Sequence, residues 1–128
     1  MMGDCRWRIV VFIGTMALAG CQGQSSPAPS AGGAAPAEFA KGEALFNANC
    51  AKCHGERAAG TNQGPSLVQK IYEPSHHSDA SFHLAARNGV RPHHWQFGPM
   101  PPIAGVSEAE VNEIIGYVRW LQREAGIF

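Results

Sequence analysis

The chain has 128 residues, with ten Lys plus Arg balanced by ten Asp plus Glu for a formal net charge of zero, so its length admits one domain and excludes a large multidomain enzyme. A hydrophobic share of 45% is not that of a disordered chain, and neutrality removes the basic footprint of a nucleic-acid binder. Four cysteines, at positions 5, 21, 50 and 53, leave disulfides, a zinc site and covalent cofactor attachment open until their spacing is weighed.

At the N-terminus, Arg6 and Arg8 precede an apolar run over residues 9–19 that stops at Gly20 and Cys21. The run is well short of the about 20 residues a membrane-spanning helix needs, so residues 1–20 read as a secretory signal. Leu18-Ala19-Gly20-Cys21 resembles the lipobox of bacterial lipoproteins, which implies that Cys21 becomes the acylated first residue of the mature chain. The alternative is an ordinary signal with an incidental cysteine. Residues 22–36 hold only Gln, Gly, Ser, Pro and Ala, with nothing bulky to bury. They predict a flexible tether from Cys21 to residue 36, about 20 Å in mean span and at most about 50 Å when extended. Gln22 rather than Asp follows the cysteine, a pattern that in lipoproteins of two-membrane bacteria goes with the outer membrane.

The domain expected over residues 37–128 opens with a helix from about Ala37 into Cys50-Ala51-Lys52-Cys53-His54. This is the spacing of covalent haem c attachment. Two thiols about one helical turn apart can add to two vinyl groups, while the adjacent histidine brings imidazole to the iron. A thioredoxin-like dithiol would want a strand-helix-strand context, a tetrahedral zinc site would want further ligands, and a disulfide is sterically poor at this spacing in a helix. A shorter helix is predicted after Ser78, with Phe82, Ala85 and Ala86 inward and Gly89 as its terminator. The last helix starts at Glu108: Ser107 and Glu110 form a capping box, Val106 and Val111 a hydrophobic staple, and Val111, Ile114, Ile115, Val118 and Leu121 recur at helical spacing. Gly42 and Gly116 fall inside predicted helices, where each costs about 1 kcal/mol relative to Ala, so another interaction should favour them. No segment alternates as a strand.

Beyond the signal the chain has one methionine, Met100, within Gly98-Pro99-Met100-Pro101-Pro102. The prolines restrict the loop, so sulfur can be presented to iron at small ordering cost. A methionine filling a core gap is the plainer alternative, and His76, His77, His83, His93 and His94 are rival ligands. The density of those five histidines between residues 76 and 94 raises a second metal site, for which copper is the fitting ion because imidazoles ligate it well. Otherwise some of them, or Trp95, donate to haem propionates and the rest are solvated.

Residues 38–125 resemble a monohaem class I cytochrome c: Cys50, Cys53 and His54 match the attachment motif, and Met100 matches the distal-ligand loop. Two features depart from the common form, Pro99 directly before the methionine and the histidine-rich stretch. Gly64-Pro65-Ser66-Leu67 resembles the segment whose proline carbonyl holds the proximal histidine, which implies that Pro65 accepts Nδ1–H of His54; the alternative is a simple Gly-Pro turn. The resemblance also implies an all-α fold of three to four helices around one covalent haem c, with the first and last helices crossing closely at Gly42, Phe46 and Tyr117. The expected function is one-electron transfer without catalysis of its own, between redox proteins of the periplasm or membrane, on a lipid-anchored exported domain. A metal-handling or sensing haem protein with a histidine-bound copper, or a fixed cytochrome subunit of an oxidase or dehydrogenase, are the alternatives.

Overall fold

The computed structural model describes residues 33–128; the signal, Cys21 and most of the tether lie outside the described residues. Helices dominate. A 3-10 turn over Ala37–Phe39 leads into α1 (Ala40–Asn49), followed by α2 (Ala51–His54), α3 (Asp79–Asn88) and α4 (Glu108–Glu124), with further 3-10 turns at Glu56–Ala58 and Lys70–Tyr72. Among the described residues no strand forms, and the only β pairing is an isolated antiparallel bridge between Val90 and Met100. The architecture is the all-α one expected.

The single helix expected to run into the haem motif is instead bent at Cys50, whose torsions leave the helical region (φ −121°, ψ −34°). The hydrogen-bond ladder nevertheless continues through the bend. The Cys50 amide donates to the Phe46 carbonyl at 2.8 Å, and the Cys50 carbonyl accepts the amides of Cys53 and His54 at 3.1 and 2.9 Å. α2 is thus aimed by α1 while pointing in its own direction.

α4 begins where the sequence predicts. The Ser107 hydroxyl accepts the Glu110 amide at 3.3 Å, and the Glu110 carboxylate accepts the Ser107 amide at 2.8 Å. This reciprocal cap satisfies two otherwise unpaired donors and contributes about 1 kcal/mol. The inward stripe of α4 meets α1 and the loop after α2 in a core of Phe46, Ala58, Ile114, Tyr117, Val118 and Leu121.

α1 and α4 cross at Gly42, which is buried. A Cβ there would collide with the Glu113 carbonyl oxygen and stand 2.9 Å from Tyr117 Cβ. The close approach brings Phe46 against Tyr117 (centroids 5.6 Å apart) and stacks Phe39 on Trp120 (5.9 Å). Gly116 differs from expectation. A Cβ at Gly116 would meet only Phe39 Cδ1, at 3.9 Å, an ordinary contact, so packing does not demand glycine there.

Two polar residues of α4 are buried, Arg119 and Gln122. Arg119 Nε donates to Asp79 Oδ1 at 2.8 Å, Nη1 to the Tyr72 carbonyl and to Gln122 Oε1, and Nη2 to the His77 carbonyl. Gln122 Nε2 donates to the Leu67 and Tyr72 carbonyls at 2.8 and 3.1 Å. Arg119 lies toward the C-terminal, negative end of the α4 dipole, where a cation is favoured, yet its side chain turns inward rather than to water. Its stripe with Ile115 and Gln122 was the available signal, and its role is to tie the loop between Leu67 and Ser78 to α4, since buried carbonyls in irregular backbone need donors.

Candidate functional site

The backbone after α2 folds back on the attachment motif. The Gly60 amide donates to the His54 carbonyl at 2.6 Å, and the Leu67 amide to the Ala58 carbonyl at 2.9 Å. The Thr61 hydroxyl donates to the Cys53 carbonyl at 2.6 Å. This return carries Pro65 to His54, whose Nδ1 lies 2.9 Å from the Pro65 carbonyl. A carbonyl only accepts, so Nδ1 carries the proton and Nε2 keeps its lone pair for a metal.

α3 ends at Gly89 (φ 72°), where a Cβ would run into the Met100 carbonyl. Beyond it, the Val90 and Met100 amides and carbonyls pair reciprocally at 2.9 Å, and the Ile103 amide donates to the Ala86 carbonyl at 2.8 Å. The proline-flanked methionine is therefore strapped to the end of α3 rather than left as a free loop.

These elements enclose one cavity of about 520 Å³ whose walls include Cys50, His54 and Met100 together with Phe46, Leu67, Phe82, Ile103, Val111 and Ile114. Its size lies within the roughly 300–1,000 Å³ of cofactor pockets. The wall is contributed by α1, α3, α4 and both loops.

The two thiols are free rather than joined in a disulfide. Burial, and then the neighbouring Cys53, push the Cys50 thiol up to about 11. A thiol so reluctant to ionise is unlike the low-pKa nucleophile of a dithiol oxidoreductase. Cys53 Sγ sits 3.8 Å from Gln63 Oε1 and half-buried. Two neighbouring thiols, an oriented imidazole, a thioether and apolar walls on one cavity form a donor set and surface that fit a covalently attached iron porphyrin.

The histidines divide. His76 and His77 from the turn before α3 meet His93 and His94 from the loop before Met100, with ring centroids 4.2 Å apart for His93 and His94 and 5.3 Å for His77 and His94. His83 stands apart on α3, its Nε2 2.8 Å from Asn112 Oδ1 on α4. Loss of water around its ring, and then the adjacent His93, His77 and His76, hold His94 below the ordinary histidine range. Trp95 does not keep a spare donor: its Nε1 donates to Tyr72 Oη at 2.9 Å. Burial raises the Tyr72 phenol, with the Trp95 hydrogen bond acting in the opposite direction.

No curated protein and no solved structure matches the chain. The sequence does match the Cytochrome c family over residues 39–122, which begins just before α1 and ends within α4 and so takes in the attachment motif, the Pro65 turn, the Met100 loop and the helix crossing. The chain belongs to that family, as a monohaem class I cytochrome c with covalently bound haem c.

Proposed function

We propose that this domain carries single electrons outside the cytoplasm, held to a bacterial membrane by lipidated Cys21, with His54 and Met100 as the two axial ligands of its haem. Haem c, when bound, supplies reversible exchange of one electron between ferric and ferrous iron. The residues of the chain do the rest. Cys50 and Cys53 provide the thioether sulfurs, and the Pro65 carbonyl keeps the His54 ring in the tautomer that presents Nε2. The bridge between Val90 and Met100 holds the loop that carries the thioether. Apolar walls exclude water and, with a methionine ligand, favour the ferrous state over the more highly charged ferric one.

The observation that carries this reading is that His54 and Met100, distant in sequence, line the same apolar cavity. With His54 and Met100 both holding the iron, no position would be open to substrate, and electron transfer is the chemistry the bound group would supply. Met100→Ala is the test. The ferric wild type is expected to show the weak long-wavelength band of methionine-ligated haem, and the variant to lose it. The variant's reduction potential is expected to fall by on the order of 0.1 V, a fraction of the about 0.8 V that axial ligation spans. A wild type without the band, or a variant that keeps it, would sink the axial assignment.

Leu84, Trp95 and Phe97 are large apolar side chains left exposed, and all three border the cavity. Such a rim suits brief docking of a redox protein near the haem edge through a small interface. No described helix is long and apolar enough to cross a membrane, so attachment rests on the lipobox-like Leu18-Ala19-Gly20-Cys21. Acyl chains each contribute about 0.8 kcal/mol per buried CH₂, and more than one chain makes anchoring stable. Cys21→Ser is expected to move the cytochrome from the membrane fraction to the soluble one; equal membrane retention would contradict the tether.

A further inference from the structure

The histidine cluster is not used by the electron-transfer reading, and among the described residues it is a group of metal-donor side chains other than the iron ligands that converges on one place, with His77, His93 and His94 on the wall of the cavity that His54 and Met100 also line. One ring nitrogen from each of His76, His77 and His94 lies within 4.8 Å of the others. The ring of His93 adjoins the trio, 4.2 Å from His94 and 6.0 Å from His77 between centroids. Two chain segments 17 positions apart are thus folded so that four imidazoles share one place.

The orientation of the rings is not arbitrary. His77 Nδ1 lies 2.6 Å from the Ile71 carbonyl, and His93 Nδ1 lies 2.9 Å from the Arg91 carbonyl. Each carbonyl can only accept, so in both rings Nδ1 carries the proton and Nε2 offers its lone pair. A backbone carbonyl on the far nitrogen is the usual support of a metal-bound histidine. His77 is fixed a second time, because its own carbonyl accepts a hydrogen bond from the buried Arg119 guanidinium. Glu73, the nearest carboxylate in the turn, is occupied by Lys70 and the Ser75 hydroxyl, which leaves an all-imidazole set.

We propose that His76, His77 and His94, joined by His93, bind one late first-row divalent ion, copper(II) more tightly than zinc(II), on the wall of the haem cavity. Neutral imidazoles without thiolate suit these ions, and copper(II) stands above zinc(II) in the affinity order for a given nitrogen site. Bonds of about 2.0 Å would bring adjacent ligand nitrogens to about 2.8 Å from one another in the tetragonal geometry copper(II) favours, and to about 3.3 Å around tetrahedral zinc(II). From separations of up to 4.8 Å the trio must close by about 1.5–2 Å, a change within reach of side-chain rotation because His76 and His94 are exposed. The site depends on the fold and not on which residue is the distal iron ligand.

The test uses the ferric holoprotein stripped of adventitious metal and titrated by calorimetry with copper(II) and, separately, zinc(II). One equivalent of copper is expected, with nitrogen hyperfine structure in its electron paramagnetic resonance spectrum. Affinity should fall at least about a hundredfold in His76→Ala/His94→Ala and remain within about twofold in His83→Ala. No stoichiometric binding by the wild type, or binding unchanged in the double variant, overturns the site. The haem absorption spectrum of the double variant should match the wild type. A changed haem spectrum together with unchanged metal binding would show that the cluster serves the haem instead, which also overturns the proposal.

Discussion

Gly42→Val is expected to destabilise the holoprotein by about 3 kcal/mol or more, read from thermal or denaturant unfolding followed by circular dichroism. The atom in the way is the Glu113 carbonyl oxygen, with Tyr117 Cβ 2.9 Å from the position of a new Cβ. Neither is the far end of a flexible side chain. Relief would require α1 and α4 to separate, and that would loosen the contact of Phe46 with Tyr117, both fully buried. Against a typical total stability of about 5–15 kcal/mol, the loss is a large fraction. Gly116→Ala is the control, since its Cβ would meet only Phe39 Cδ1 at 3.9 Å, and helix propensity should raise stability by up to about 1 kcal/mol. Equal destabilisation by the two substitutions would show that the crossing does not depend on close backbone approach.

Cys50→Ala/Cys53→Ala is expected to abolish covalent haem attachment and leave a domain without a cooperative unfolding transition. The cavity walls come from every long helix and both functional loops, around about 520 Å³. At about 24 cal/mol per Å³, an unfilled space of that volume would cost on the order of 12 kcal/mol. Partial collapse of an open cavity lowers the figure, yet even half of it approaches the stability of an ordinary small domain. Near-ultraviolet circular dichroism and a thermal scan of the haem-free variant check this. A sharp, native-like melt would show that the protein part holds its shape without the cofactor.

Much of the domain was legible in residues 37–128 because the signals were local. Cys50 to His54 state their chemistry within one helical turn. Ser107 and Glu110 announce the start of α4 three residues apart, and the apolar stripe from Val111 to Leu121 follows one helical period. Gly89 was readable as a terminator of α3 because a helix end at positive φ favours glycine. The bend at Cys50 was not legible, since the residues on either side of it all accept helical geometry. The burial of Arg119 was not legible for a related reason: a charged residue near a helix C-terminus normally faces water, and its burial depends on carbonyls of a loop some forty residues earlier in the chain.

The sequence by itself determined the family and with it the kind of cofactor, from the order of short motifs between Cys50 and Met100, and the helical class and the starts of α3 and α4, because each of those starts rests on side chains within a few positions of one another. Only the tertiary structure decided which of Gly42 and Gly116 is sterically required, that Arg119 and Gln122 anchor the loop after Leu67, that Met100 shares a cavity with His54, and that His76, His77, His93 and His94 gather while His83 is held by Asn112. Those are meetings between distant segments. Local spacing carries no information about such distances, whereas the packing of α1 and of α3 against α4 sets them together.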